Sequence, residues 1–181
     1  MAPSTVILDA CVLINLLASG EFGEIIDSEN NAFAICSKVR EETIYLRPDD
    51  AAVVAVEPVA LDEFLDSGRL SVLVLASESE ETLYVNYAAK LDDGEAMSLA
   101  LAESRGFILA TDERKARRLF TQIVGSSNRL LSTPELIRDW VDFYKVAPER
   151  VRSVLHRIMN RARYTPNRGD SNFLWWLNAA R

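Results

Sequence analysis

Four acidic residues, spread widely along the chain, could together hold a hard divalent cation. Asp9 follows the apolar run 5–8, and Asp112 comes just after the apolar run 107–110. Glu42 and Glu95 fall in predicted helices that follow a strand or a tight break. If the apolar runs are buried parallel strands, the two aspartates leave their carboxyl ends, where open α/β sheets bind ligands. Four converging carboxylates repel one another unless a counterion joins them. Magnesium and manganese take oxygen ligands, and such a cation can activate a water and stabilise the charge building on a phosphodiester.

Each residue also has a plainer reading. Asp9 can cap the helix starting near Ala10. Glu42 adjoins Glu41, and most helical glutamates are solvated. Asp92 and Glu95 have the spacing of a capping box, which leaves the Glu95 carboxylate available only if Asp92 supplies the cap. Asp112 can cap the helix 113–120. The functional reading therefore rests on the set.

The elements that would position the set alternate between strand and helix, the pattern of a parallel sheet covered on both faces. Strands are expected at 5–8, 33–35, 70–75, 107–110 and 129–131, giving an open, mostly parallel α/β sheet of about five strands. Helices are expected at 11–18, from Ser37 as N-cap past Glu42 and Leu46 to the break at Pro48, and at 58–65, 78–91, 95–104 and 113–120. Thr133 and Pro134 supply the cap and first position of another helix. The last helix, 148–163, keeps Val151, Val154, Leu155, Ile158, Met159 and Ala162 at helical spacing, with Arg150, Arg157 and Arg161 pointing elsewhere. Residues 51–56 read as a loop or a short strand. The aromatic patch 173–177 is expected to dock back on the body.

Length and composition exclude several classes. The 181 residues suffice for one domain with a real core. No apolar run is long enough to span a bilayer, and the start lacks the pattern of a signal peptide, so a cytoplasmic protein with no membrane partner is expected. His156 is the only histidine, and there are two cysteines, Cys11 and Cys36. Histidine-dependent nucleophilic catalysis and a zinc site are therefore poorly supplied. The net charge of −7 divides into −11 over residues 1–132 and +4 over 133–181. An acidic body suits a nucleic-acid enzyme only if carboxylates are metal ligands that reverse the local field. Arg114, Lys115, Arg117 and Arg118, directly after Asp112, are candidate phosphate contacts, although a solvated helix face explains such a run equally simply.

The segments VILDACVLINLL, KVREETIYL, DDGEAMSLALAESRGFILATDERKARR and LLSTPELIRDW resemble, in order, the PIN-domain family, which includes VapC-like toxin nucleases. The resemblance covers roughly residues 5–144, with GEAMSLALA and TDERKAR the most specific parts. It implies a Mg2+- or Mn2+-dependent endoribonuclease with Asp9, Glu42, Glu95 and Asp112 as metal-binding catalytic residues, Glu41 being the neighbouring alternative to Glu42. Thr111 falls where the family often has a small hydroxyl, and Asn15 lies one turn beyond the site; both are candidate substrate contacts. A toxin of this kind would have an antitoxin partner, and family members often dimerise. Residues 1–145 would form the nuclease domain and 146–181 a basic helical extension packed on it. The rival from another class is a PIN-like scaffold that binds RNA or a protein partner without cutting.

Overall fold

A computed structural model describes residues 4–42, 45–48, 57–58 and 61–181. Five strands form one open, all-parallel sheet in the order β5-β2-β1-β6-β7. They are β1 (Thr5–Leu8), β2 (Ala32–Cys36), β5 (Leu70–Leu73), β6 (Ile108–Ala110) and β7 (Leu130–Leu131). A separate short antiparallel pair joins β3 (Tyr45–Leu46) and β4 (Glu57–Pro58). The central strand β1 is buried on both faces, with Val6, Ile7 and Leu8 fully inaccessible. That is why its sequence reads as a continuous apolar run rather than an alternating one.

Strand order fixes where a site can form. From β1 the chain moves outward to β2 and β5, then returns to add β6 and β7 on the other side of β1. The reversal lies between β1 and β6, and the crevice of such a sheet opens there, beyond the carboxyl ends of the strands. The ladder runs to the rim: Asp9 N donates to Ala110 O at 3.0 Å, and Thr111 N donates to Leu131 O at 3.1 Å.

The helices are α1 (Ala10–Ala18), α2 (Phe22–Ser28), α3 (Ser37–Glu41), α4 (Asp62–Asp66), α5 (Glu78–Ala88), α6 (Asp93–Arg105), α7 (Arg114–Val124), α8 (Thr133–Tyr144), α9 (Pro148–Arg157) and α10 (Phe173–Ala179). Several differ from expectation. The helix after β2 ends at Glu41 instead of reaching Pro48, and Glu42 is its extended C-cap. Its N-cap is the Cys36 thiol, which accepts from Val39 N, so Ser37 is the first helical residue. Ser132, with Glu135 as its reciprocal partner, caps α8, so Thr133 lies inside the helix. The strand expected over 70–75 stops at Leu73. Of the helix expected over 58–65, Pro58 lies in β4, residues 59–60 lie outside the described residues, and α4 starts at Asp62. Residues 51–56 lie outside the described residues. The last long helix is α9 followed by a π-helical turn, Ile158–Ala162, and it ends at Arg163 in the left-handed conformation, φ +56°.

The C-terminal extension is tied to the body by charge and by packing. Arg150 donates to Glu21 at 2.7 Å and Glu24 at 2.9 Å, and Arg157 donates to Glu21 at 3.0 Å. Arg161 exchanges hydrogen bonds with the backbone of Arg47. Arg150 and Arg157 thus face acidic residues of the body. Trp140 and Trp176 are fully buried, while Trp175 is half-buried. No helix among the described residues is long and apolar enough to cross a membrane.

Candidate active site

Asp9 sits at the end of β1 and is the N-cap of α1. Oδ1 accepts from Ala10 N at 2.8 Å, so the capping role is real. The same carboxylate does more than cap. Oδ2 accepts the Thr111 hydroxyl at 2.8 Å and the Cys11 thiol at 3.3 Å. Asp9 is only 2% exposed, and burial pushes its pKa above the ordinary value despite those three donors.

Glu95 lies in the first turn of α6. Asp92 provides the cap there, accepting from Glu95 N at 2.8 Å, which leaves the Glu95 carboxylate outside the cap. That carboxylate is pushed up to about 7, first by desolvation, then by the charges of Asp92, Asp9 and Glu113. Glu42 reaches the same place from the end of α3. Its Oε1 lies so close above Gly94, the second residue of α6, that a Cβ at Gly94 would stand 2.8 Å from it. Burial, then Asp92 and Asp9, raise the Glu42 carboxyl as well. Glu41 instead pairs with Lys38 in solvent at 3.5 Å, so Glu42 is the member of that pair that faces the rim.

Asp112 is placed differently. Its backbone borders the crevice, but its side chain serves α8. Oδ1 accepts from Thr133 N at 3.0 Å; Oδ2 accepts from Thr133 Oγ1 at 2.6 Å and from Asn15 Nδ2 at 3.0 Å. The Tyr164 hydroxyl of the C-terminal extension lies beside it, and the Asp112 charge helps raise that hydroxyl's pKa. The expected local cap is absent: Glu113, without a side-chain bond, is the N-cap of α7. Asp112 therefore caps the helix after β7 rather than the one after itself. Burial raises its pKa, against the pull of Thr133.

The structure thus gathers Asp9, Glu42 and Glu95 with Asp92 as one repelling group, while Asp112 is bound to Thr133 and Asn15. Among the described residues no three His, Cys, Asp or Glu side chains close to a geometry that would hold a metal ion. Oxygen donors of this type nevertheless suit a hard divalent cation. Among the described residues no Lys or Arg forms an ion pair with Asp9, Glu42, Asp92 or Glu95.

No family model, no curated protein and no solved structure matches the chain.

The remaining candidates divide by burial. Thr111 is fully buried and hydrogen-bonded to Asp9, and Asn15 is 3% exposed and bonded to Asp112 and Thr133. Both are buried and bonded to a carboxylate, Thr111 to Asp9 and Asn15 to Asp112. Arg117 donates to the carbonyls of Thr111 and Leu131 at 2.8 and 2.9 Å, holding β6 to β7 at the rim, so it is no free phosphate contact. Lys115 donates to Lys90 O. Arg114 and Arg118 remain exposed. Sequence reasoning missed Asp92 as part of the charge cluster, Thr133 as a partner of Asp112 with Tyr164 beside it, and Gly94 as the opening for Glu42. Only Gly94 left a local signal, being a glycine inside a helix, where it costs stability unless space demands it.

Glu95→Gln is expected to raise the melting temperature at about pH 8. The carboxyl is held above its ordinary 4.5, at about 7, so its ionised form opposes folding. The gain should be complete above the folded value and fade as pH falls from about 7 to 4.5. Thermal unfolding followed by circular dichroism across that range checks this. A lower melting temperature at alkaline pH, or a gain independent of pH, would remove Glu95 from the repelling group.

Proposed function

We propose that the chain is a metal-dependent endoribonuclease of the PIN type. The observation that carries this reading is the group of desolvated carboxylates, Asp9, Glu42 and Glu95, at the switch point of a parallel sheet with no basic partner among the described residues. Such a group favours uptake of a cation, because the raised carboxyls gain the most when one neutralises them. A bound Mg2+ or Mn2+ would supply an activated water and stabilise the charge on the phosphodiester. The chain's own residues have separate tasks. Asp9, Glu42 and Glu95 offer the oxygens. Thr111 fixes the orientation of Asp9, while Asn15 and Thr133 hold Asp112 at the edge. The resemblance to VapC-like toxins adds a cytoplasmic location, an antitoxin that would cover the rim, and a homodimer.

One observation favours the rival scaffold reading: Asp112, the family's fourth acidic position, is already committed to hydrogen bonds from Thr133 and Asn15. Calorimetric titration of Mn2+ and Mg2+ together with an RNA cleavage assay decides between them. The nuclease reading expects metal binding in the millimolar range or tighter and cleavage that a chelator stops. Absence of both would leave the scaffold.

A further inference from the structure

We infer that the outer face of α9 binds a phosphomonoester group, at a site that shares no residue with the carboxylate rim and does not depend on the nuclease reading. The helix divides its residues by spacing. Val151, Val154 and Leu155 are buried on one side. Arg152, Ser153, His156 and Asn160 recur at three- and four-residue steps on the other, and all four are exposed. Together with Glu149 and Arg157 they line a groove of about 480 Å³.

The groove holds hydrogen-bond donors in excess. Arg152, Ser153 and Asn160 have no side-chain partner among the described residues. Arg157 gives Nη2 to Glu21 at 3.0 Å, but its Nε is buried without an acceptor. A buried donor left unpaired is a cost that an incoming acceptor relieves. Against these donors stands Glu149, the one carboxylate among the lining residues, and it forms no ion pair with Arg152. It lies seven residues before His156, about 10 Å along the axis.

Two of the side chains are set in place. His156 Nε2 lies 2.8 Å from Ala180 O. A carbonyl only accepts, so Nε2 carries a proton and Nδ1 is the ring nitrogen left for a ligand. The Arg157 guanidinium lies across Gly20, where a Cβ would stand 3.3 Å from Cζ.

Shape and charge select the occupant. Arg152 and His156 are one turn apart, about 6 Å along the axis. A planar carboxylate has two oxygens, and a single guanidinium satisfies both. A phosphomonoester has three terminal oxygens, enough for the Arg152 guanidinium, the His156 imidazolium and the Ser153 hydroxyl together. The next turn, ending at Asn160, takes the polar body that carries the phosphate. The groove also lies in the part of the chain, 133–181, whose net charge is +4, while residues 1–132 at −11 repel an anion. A free metabolite and a lipid headgroup can both present this group.

The only histidine supplies a reporter of its own. The test follows the single imidazole C2 proton of the full chain by NMR, at about pH 6.5, as glycerol 3-phosphate is added. The signal should shift saturably, with a Kd of about 1 mM or tighter, and glycerol at the same concentrations should leave it in place. Arg152→Gln should weaken binding about tenfold or more. Arg168→Gln, equally exposed on the same extension but outside the groove, should change it less than about twofold. Vesicles of phosphatidylcholine and phosphatidic acid identify the source. Sedimentation of the chain with them, lost in Arg152→Gln, assigns the group to a lipid headgroup; glycerol 3-phosphate binding without sedimentation assigns it to a free metabolite. No saturable shift, a shift that glycerol reproduces, or a loss that Arg168→Gln matches would each overturn the inference.

Discussion

Asp9→Asn is expected to lower metal-dependent RNA cleavage by about a thousandfold while leaving the chain at least as stable as the wild type at neutral pH. The size of the loss follows from what a cation contributes. Several kcal/mol of charge stabilisation, at 1.36 kcal/mol per factor of ten, gives about three decades. The stability follows from burial. Asp9 is 2% exposed, and its pKa lies above the ordinary value of 3.8, so its ionised form is a cost to the fold. An asparagine keeps an oxygen for Ala10 N, turns its amide nitrogen to donate to the Thr111 hydroxyl oxygen, and discards that charge. Because the folded-state value is raised, the cost is complete only above it. The gain in stability should shrink as pH falls toward the ordinary carboxylate range. Single-turnover cleavage of labelled RNA, paired with melting curves across pH, reads both effects. Undiminished cleavage would remove Asp9 from the chemistry. A large drop in melting temperature would show that its main task is capping α1.

The fold and the site were legible in the sequence to different depths, for a physical reason. Strands buried on both faces announce themselves as apolar runs, and all five strands of the sheet were anticipated, with bounds shifted by a residue or two. The helices with strong punctuation were equally clear: Gly106 ends α6 in the left-handed conformation, and Pro134 opens α8. The segment around Glu42 was not. Its residues have helix-compatible spacing as far as Leu46, yet the helix stops at Glu41 and the chain turns into a strand, a choice made by tertiary pairing rather than local preference. The helix α2 escaped as well, since its seven residues carry no side-chain cap. For the site, proximity to strand ends identified Asp9 and Asp112, but where a side chain points is a long-range property. Thr111 adjoins Asp112 in sequence and serves Asp9 in space. Asp112 adjoins α7 and caps α8, using a residue 21 positions away. No local pattern encodes such an exchange. It becomes visible only when parallel strands β6 and β7 bring their ends together.

Trp176→Ala is expected to cost about 3–5 kcal/mol and to loosen Asp112 from a distance. Trp176 is fully buried, with its ring edge-to-face against Tyr164 at 5.7 Å. Its indole nitrogen is buried with no hydrogen-bond partner among the described residues, so its contribution comes from packing, and truncation leaves a cavity without sparing a polar bond. The seven-residue α10 is far too short to persist by itself. Losing its anchor frees the segment that ends the chain and removes the surface on which Tyr164 leans. The Tyr164 hydroxyl lies within the field of Asp112, so the same change reaches the rim. Urea unfolding should show one cooperative transition at a lower midpoint, and a protease should cleave after the π-helical turn more readily. Tyr164→Phe separates the two roles: it keeps the ring against Trp176, loses only the hydroxyl, and should cost no more than about 1.5 kcal/mol. A Trp176→Ala chain that lost less than about 1 kcal/mol, or that melted in two steps with the body's midpoint unchanged, would make the extension an independent appendage. A single transition would instead mean that the arginine clamp on Glu21, the buried tryptophan and the hydroxyl beside Asp112 are parts of one cooperative unit, in which the tail holds the edge of the site in place.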